Sequence, residues 1–233
     1  MLAVAVAVSL RGYTRRVLLE RFVNGRTRSN AYVYAASDPR ALIVDAGHGA
    51  AAKIIDVVGA EGLEPHAVVL THGHPDHIWT ARELSDRYEI PVYIHSADDV
   101  WFRDPATGGN LPVFRVAGRL YGRSRRLRPS RLELIGDDTI DIGAWRVNVL
   151  HTPGHTRGSA CFLLDELCFS GDTVFARGVG RTSYPGGSRT SLRESIRSKL
   201  LPLPDDLRVL PGHGRDTTVG AERALWESFA KGS

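Results

Sequence analysis

Long apolar runs are the first thing this sequence lacks. No stretch of about 18 consecutive apolar residues occurs, so no transmembrane helix is expected. The opening "MLAVAVAVSLRG" carries a short apolar run, but nothing basic precedes it and the arginines follow it, which argues against a signal peptide. Cysteine is scarce: Cys161 and Cys168 are the only two in 233 residues, too few for a disulfide framework. They lie in "CFLLDELCFS", which reads as a short hairpin turning near Asp165 and Glu166, and as free thiols they could face each other across it. Low-complexity tracts are missing too. With 42% hydrophobic and 24% charged residues the chain can bury the core of one large domain over 1–233, and disorder along most of it is excluded. A cytoplasmic protein is expected.

Acidic residues are absent between Asp104 and Glu133, where Arg115, Arg119, Arg123, Arg125, Arg126, Arg128 and Arg131 crowd together. No aromatic ladder accompanies them, so the stretch reads as a solvated loop, and nucleic acid is not the expected partner. The overall charge of +4 is mild and speaks to solubility and attraction for anions.

What is present is alternation of short strands with helices. "AYVYAAS" and "ALIVDAG", separated by "DPR", predict a hairpin. "AAKIIDVVGA" has helical spacing and precedes the β-branched run "AVVLTH"; "IWTARELSDRY" reads as an amphipathic helix and "IPVYIH" as a buried strand. In the second half "DTIDIGAWRVNVLH", "ACFLLD", "LCFSGD" and "LRVLPGHG" read as strands, and "SLRESIRSKLLPL" and "GAERALWESFAKG" as helices. Two runs of strands with attached helices point to two sheets packed face to face, helices outside.

Histidine and aspartate recur where an apolar strand gives way to a Gly or Pro turn: "VVLTHGH", "NVLHTPGH", "CFSGD" and "VLPGH". Strand-end loops are where a rigid scaffold presents reactive groups. "THGHPDH" places three histidines and an aspartate in its last six positions, a density that asks for a metal. "HTPGHT" offers two histidines, His151 and His155. His48, His66 and His95 lack such placement and read as loop or core residues, while Asp45 in "VDAG" could orient a ligand or cap a turn.

In that order, "THGHPDH", "TPGHT", "FSGDTVF" and "LPGHG" resemble the metallo-β-lactamase superfamily over roughly residues 30 to 220. The resemblance implies an αββα sandwich with a two-metal site at one edge of the sheets. It assigns His72, His74 and His155 to one ion, Asp76, His77 and His213 to a second, and Asp172 as the bridge, with His151 structural or supporting. Imidazole and carboxylate suit two zinc ions; iron or manganese is the other metal expected. Asp76 and Asp172 are the carboxylates expected to serve catalysis, because two metals lower the pKa of a shared water and polarise an acyl carbonyl.

"GDTVFARGVGRTSYPGG" resembles glyoxalase II-type thioester hydrolases, related stand-alone hydrolases and persulfide dioxygenases. The resemblance places Arg181 where a basic residue contacts substrate, whereas Ser183 and Arg215 replace glutathione-contacting tyrosines. The expected substrate is a small acyl or thioester compound. A mononuclear iron persulfide dioxygenase, a lactone hydrolase and a nucleic-acid processing enzyme are the other readings.

Overall fold

Side chains that alternate between two apolar layers, residue by residue, build this architecture. The computed structural model describes residues 5–10, 13–36, 38–103, 127–143 and 145–232. One sheet runs in chain order: β1 (Ala5–Leu10), β2 (Tyr13–Asn24), β3 (Ser29–Ala35), β4 (Arg40–Val44), β5 (Glu64–Leu70), β6 (Val92–His95) and β7 (Leu132–Ile135). Its strands are antiparallel from β1 to β4 and parallel from β4 to β7. Parallel neighbours need crossovers. Helix α1 (Ala50–Ala60) makes the first; α2 (Pro75–Ile78) and α3 (Ala81–Tyr88) make the second; α4 (Val100–Arg103) lies in the third.

The second sheet takes β8 (Thr139–Ile142), β9 (Trp145–His151), β10 (Ala160–Leu164) and β11 (Leu167–Gly171). After a small hairpin of β12 (Val174–Phe175) and β13 (Gly178–Val179), and helix α5 (Arg189–Ser195), the chain adds β14 (Arg208–Pro211) and β15 (Thr217–Thr218). The spatial order is β15-β14-β11-β10-β9-β8, with β14 parallel to β11, and helix α6 (Val219–Lys231) closes the chain.

Period-two alternation sends Tyr32, Tyr34, Leu42, Val44, Ala67 and Val69 of the first sheet against Val147, Val149, Phe162 and Phe169 of the second. Their neighbours Ala31, Val33, Ile43, Val68 and Leu70 face Ile54, Val58 and Leu84 of α1 and α3. On the far side Cys161, Cys168 and Val209 meet Leu192, Ile196 and Trp226. Strands covered on both faces read as nearly continuous apolar runs, which is why the sequence shows them so clearly. The expected αββα sandwich is the observed fold.

Within the opening apolar run, Ala5–Leu10 form strand β1, paired with β2. The sequence does not announce β2, because charged residues interrupt its alternation, nor does it announce β7. The helix expected over "IWTARELSDRY" is two helices. Between them Thr80 is pulled onto the loop after β4, its backbone N–H donating to the Ala46 carbonyl (2.8 Å) and its hydroxyl to Gly47 (3.0 Å). Cys161 and Cys168 are free and buried. Of the arginine-rich stretch, Arg115 to Arg126 fall outside the described residues; Arg128 pairs with Asp99 and Arg131 donates to the Glu89 carbonyl. No helix among the described residues is long and apolar enough to cross a membrane.

Candidate metal centre

Strand direction decides which loops meet. Because β9 and β11 both run antiparallel to β10, and β14 runs parallel to β11, the C-terminal ends of all three share one edge of the second sheet. β4 and β5 are parallel and share an edge of the first. Just past these ends stand Asp45, His72, His155, Asp172 and His213. The two edges are stitched together: Asn30 N–H donates to the Gly212 carbonyl (2.6 Å) and the Tyr32 hydroxyl to Pro211 (2.7 Å). That fixes the β14 end, and so His213, against β3.

All seven predicted ligand residues converge. His74 Nδ1 lies 3.2 Å from His72 Nε2 and 2.9 Å from His155 Nε2, forming one triad. Asp76, on the first turn of α2, forms a second triad with His77 and His213: Asp76 Oδ2 is 3.5 Å from His213 Nε2, and the two imidazole Nε2 atoms are 3.4 Å apart. Asp172 reaches both triads. Its Oδ2 lies 3.5 Å from His155 Nε2 and 3.5 Å from His213 Nε2, and its Oδ1 lies 3.5 Å from His77 Nε2.

These residues fit a divalent metal on three grounds. Ligand atoms about 2.0–2.1 Å from a tetrahedral ion sit about 3.3–3.4 Å from one another, close to the separations here. Asp172 Oδ1 is buried without a hydrogen-bond partner, a costly state that coordination relieves. A Cβ on Gly212 would stand 2.2 Å from that same oxygen and 2.7 Å from His77, so only glycine lets the β14 end approach.

Tautomers are set from outside the cluster. Asp45 Oδ2 accepts from His77 Nδ1 (2.8 Å) and from the Thr71 hydroxyl (2.8 Å), whose oxygen faces His72 Nδ1 (3.1 Å). His155 Nδ1 donates to the Arg181 carbonyl (2.7 Å). All three rings thereby turn Nε2 inward, the arrangement that supporting hydrogen bonds impose on metal-binding histidines. Asp45 is thus the orienting group the sequence offered as one of two readings.

Burial holds His72, His74 and His155 below the ordinary imidazole range, so the first triad is neutral and ready to coordinate. At the second triad burial also opposes charge, but Asp172, Asp45 and Asp76 outweigh it and push His77 up to about 10. His213 rises against burial through its bond to Asp76. A cation entering there must displace protons.

His151 stays out of the cluster. It donates from Nε2 to the Arg157 carbonyl (2.9 Å) and stacks on His95 with ring centroids 3.8 Å apart. Burial, then His151, hold His95 down at about 4, and its Nδ1 accepts from Ala97 N–H. The unfolded chain protonates His95 near pH 6.5 while the folded chain does not until about pH 4. Stability therefore falls as pH drops through that window. His95→Gln, whose amide can still accept from Ala97, is expected to lose less stability than wild type between pH 7 and 4.5 in denaturant titrations. Equal losses would remove His95 as a source of the acid sensitivity.

Arg181 is exposed at the rim, its guanidinium 5.5 Å from the Tyr184 ring and within 3.2 Å of that hydroxyl. Tyr184 and Trp101 flank His74 edge-on, with ring centroids at 5.5 and 4.9 Å. Sequence reasoning missed these two aromatics and also Thr71. Tyr184 stands one position beyond Ser183, where the glyoxalase II pattern sets a tyrosine, so the signal was an offset of one. Nothing local marks Trp101. His48 and His66 lie outside the cluster, each near a tryptophan ring.

Residues 24–213 match the family model of the metallo-beta-lactamase superfamily. A probable metallo-hydrolase of Bacillus subtilis is 37% identical over 85% of this chain and 91% of its own. The hydroxyacylglutathione hydrolase GloC of Haemophilus influenzae is 32% identical over 80% of this chain and 85% of its own. Among solved structures, the BLEG-1 B3 metallo-beta-lactamase superposes with a TM-score of 0.77 at 35% identity, covering 89% of this chain and 97% of that one. With the fold, the convergent cluster and the family match in agreement, this chain belongs to the metallo-beta-lactamase superfamily of metallo-hydrolases.

Proposed function

We propose that this protein is a binuclear metal hydrolase that cleaves a thioester or related acyl bond. The observation that carries the reading is Asp172, whose carboxylate faces His155 of one triad and His77 and His213 of the other. When bound, two such ions supply a nucleophilic water at neutral pH and polarise the acyl carbonyl. His72, His74 and His155 would hold one; Asp76, His77 and His213 the other. Zinc is the metal we assign, because nitrogen and carboxylate donors suit it, and the same donors accommodate iron or manganese. Trp101 and Tyr184 narrow the approach beside His74, and Arg181 is the group available to an anionic substrate. The likeness to GloC, a hydroxyacylglutathione hydrolase, supports the thioester class. The reading takes residues 1–233 as one domain and a cytoplasmic location, which the two free buried thiols support.

The test is metal analysis of protein purified without added metal, then turnover on thioesters, a lactone, a β-lactam and a persulfide. Two ions per chain with thioester cleavage support the reading. One iron per chain with oxygen uptake on the persulfide replaces it with a dioxygenase, and preferential β-lactam cleavage removes the thioester assignment.

Arg181 sharpens the substrate side. A hydrogen bond to a charged group is worth about 1.5–3 kcal/mol, and solvent screening puts an exposed arginine at the low end. Arg181→Ala should lower kcat/KM on an anionic thioester about tenfold, since about 1.4 kcal/mol is one decade. Metal content and turnover of a neutral thioester of similar size should hold within about twofold. An equal response on both substrates refutes the role.

A further inference from the structure

The first triad takes its ligands from two different sheets. His72 and His74 follow β5 of the first sheet, and His155 follows β9 of the second. Their Nε2 and Nδ1 atoms can converge only if the two loops are held in register. Without a cation His74 Nδ1 and His155 Nε2 can share one proton (2.9 Å). Nitrogens that turn lone pairs to a common ion cannot hydrogen-bond one another, so with metal bound the register must be held from outside the cluster.

One carboxylate outside the cluster spans both loops. Asp98 ends the 3₁₀ turn Ser96–Asp98 after β6 and is 1% exposed. Its Oδ2 accepts from Gly73 N–H (2.8 Å), the residue between His72 and His74, and from the Thr156 hydroxyl (2.7 Å), the residue after His155. Its Oδ1 accepts from Gly158 N–H (2.7 Å) in the same loop as His155. A Cβ on Gly158 would stand 2.7 Å from the Asp98 Cβ, so the loop closes onto this side chain more tightly than any other residue allows. Bonds to a buried carboxylate are charge-assisted and stronger than neutral ones. Losing the acceptor leaves buried donors unpaired.

We propose that Asp98 is a positioning residue for the first triad: it registers the His72–His74 segment against the His155 loop and so sets the affinity of that triad for its metal. The inference rests on the two-metal reading above. Asp45 orients His72 through Thr71 and orients His77 directly, whereas Asp98 meets backbone and hydroxyl groups of the two first-triad loops and none of the second triad.

The experiment titrates metal-free, full-length protein with zinc, against a chelating dye, in two backgrounds. His213→Ala cripples the second triad, and His155→Ala cripples the first. Asp98→Asn keeps the side-chain shape but turns an amide NH2 towards donors. In the His213→Ala background it should weaken zinc binding about ten- to a hundredfold, the usual effect of removing a supporting partner. In the His155→Ala background binding should change less than about twofold. Thr156→Val, which removes a single arm, should weaken the first triad a fewfold, with Thr156→Ser restoring it, and it carries the test if Asp98→Asn does not fold. Equal weakening in both backgrounds, or unchanged affinity in both, overturns the inference. Wild-type protein that binds a single ion removes the two-metal reading instead; Asp98→Asn must still weaken that ion at the first triad for the inference to stand.

Discussion

Asp172→Asn should take the metal content from two ions per chain towards one and lower acyl hydrolysis about a hundred- to a thousandfold. The substitution keeps volume and shape, so packing is not the cause. Its carboxylate sits 3.5 Å from imidazole nitrogens of both triads, and one of its oxygens is buried with no hydrogen-bond partner. An amide offers one neutral oxygen where the carboxylate offered two charged ones, and its NH2 would face the position a cation should take. Removing one well-placed electrostatic group from a water-poor site costs about 2.7–4 kcal/mol, or two to three decades in rate. Elemental analysis and steady-state kinetics on the same preparation check both halves. A variant that kept two ions and near-native turnover would falsify the bridging role.

The second large effect separates two histidines four residues apart. His155→Ala should lose the first-triad ion and, with it, activity by orders of magnitude. His151→Ala should keep metal content and lose at most a fewfold in rate. His155 is buried, turns Nε2 to within 2.9 Å of His74 Nδ1 and is locked by the Arg181 carbonyl. His151 spends its Nε2 proton on Arg157 and its ring face on His95. Calorimetric zinc titration of both variants decides the matter. Equal loss of bound metal in the two would place His151 in the centre as well.

The candidate ligand set was legible because its members cluster where strands give way to turns containing glycine or proline. Such turns are local, and local chemistry leaves a local mark. "THGHPDH" is the extreme case, carrying members of both triads on seven residues. Strands β3, β5 and β11 were legible for a similar reason, since burial on both faces leaves an unbroken apolar run. β2 was not, because a strand near the sheet edge tolerates Arg21 and Glu20 among its apolar positions, and the period-two signal dissolves.

The sequence by itself determined which side chains can coordinate a metal, the family they belong to, and the layers that helix and strand periodicities must form. Tertiary structure alone decided the rest. Only the parallel and antiparallel order of β9, β10, β11 and β14 brings Asp172, His155 and His213 to one edge. Only the packing of one sheet on the other lets Asp98 hold a loop 58 to 60 residues away in the chain, and only the parallel pairing of β4 with β5 lets Asp45 reach His77 across 32. An aspartate that accepts two backbone N–H groups looks, in one dimension, like any other aspartate. Its role lies in contacts whose partners are distant in sequence, and no local periodicity or turn chemistry encodes them.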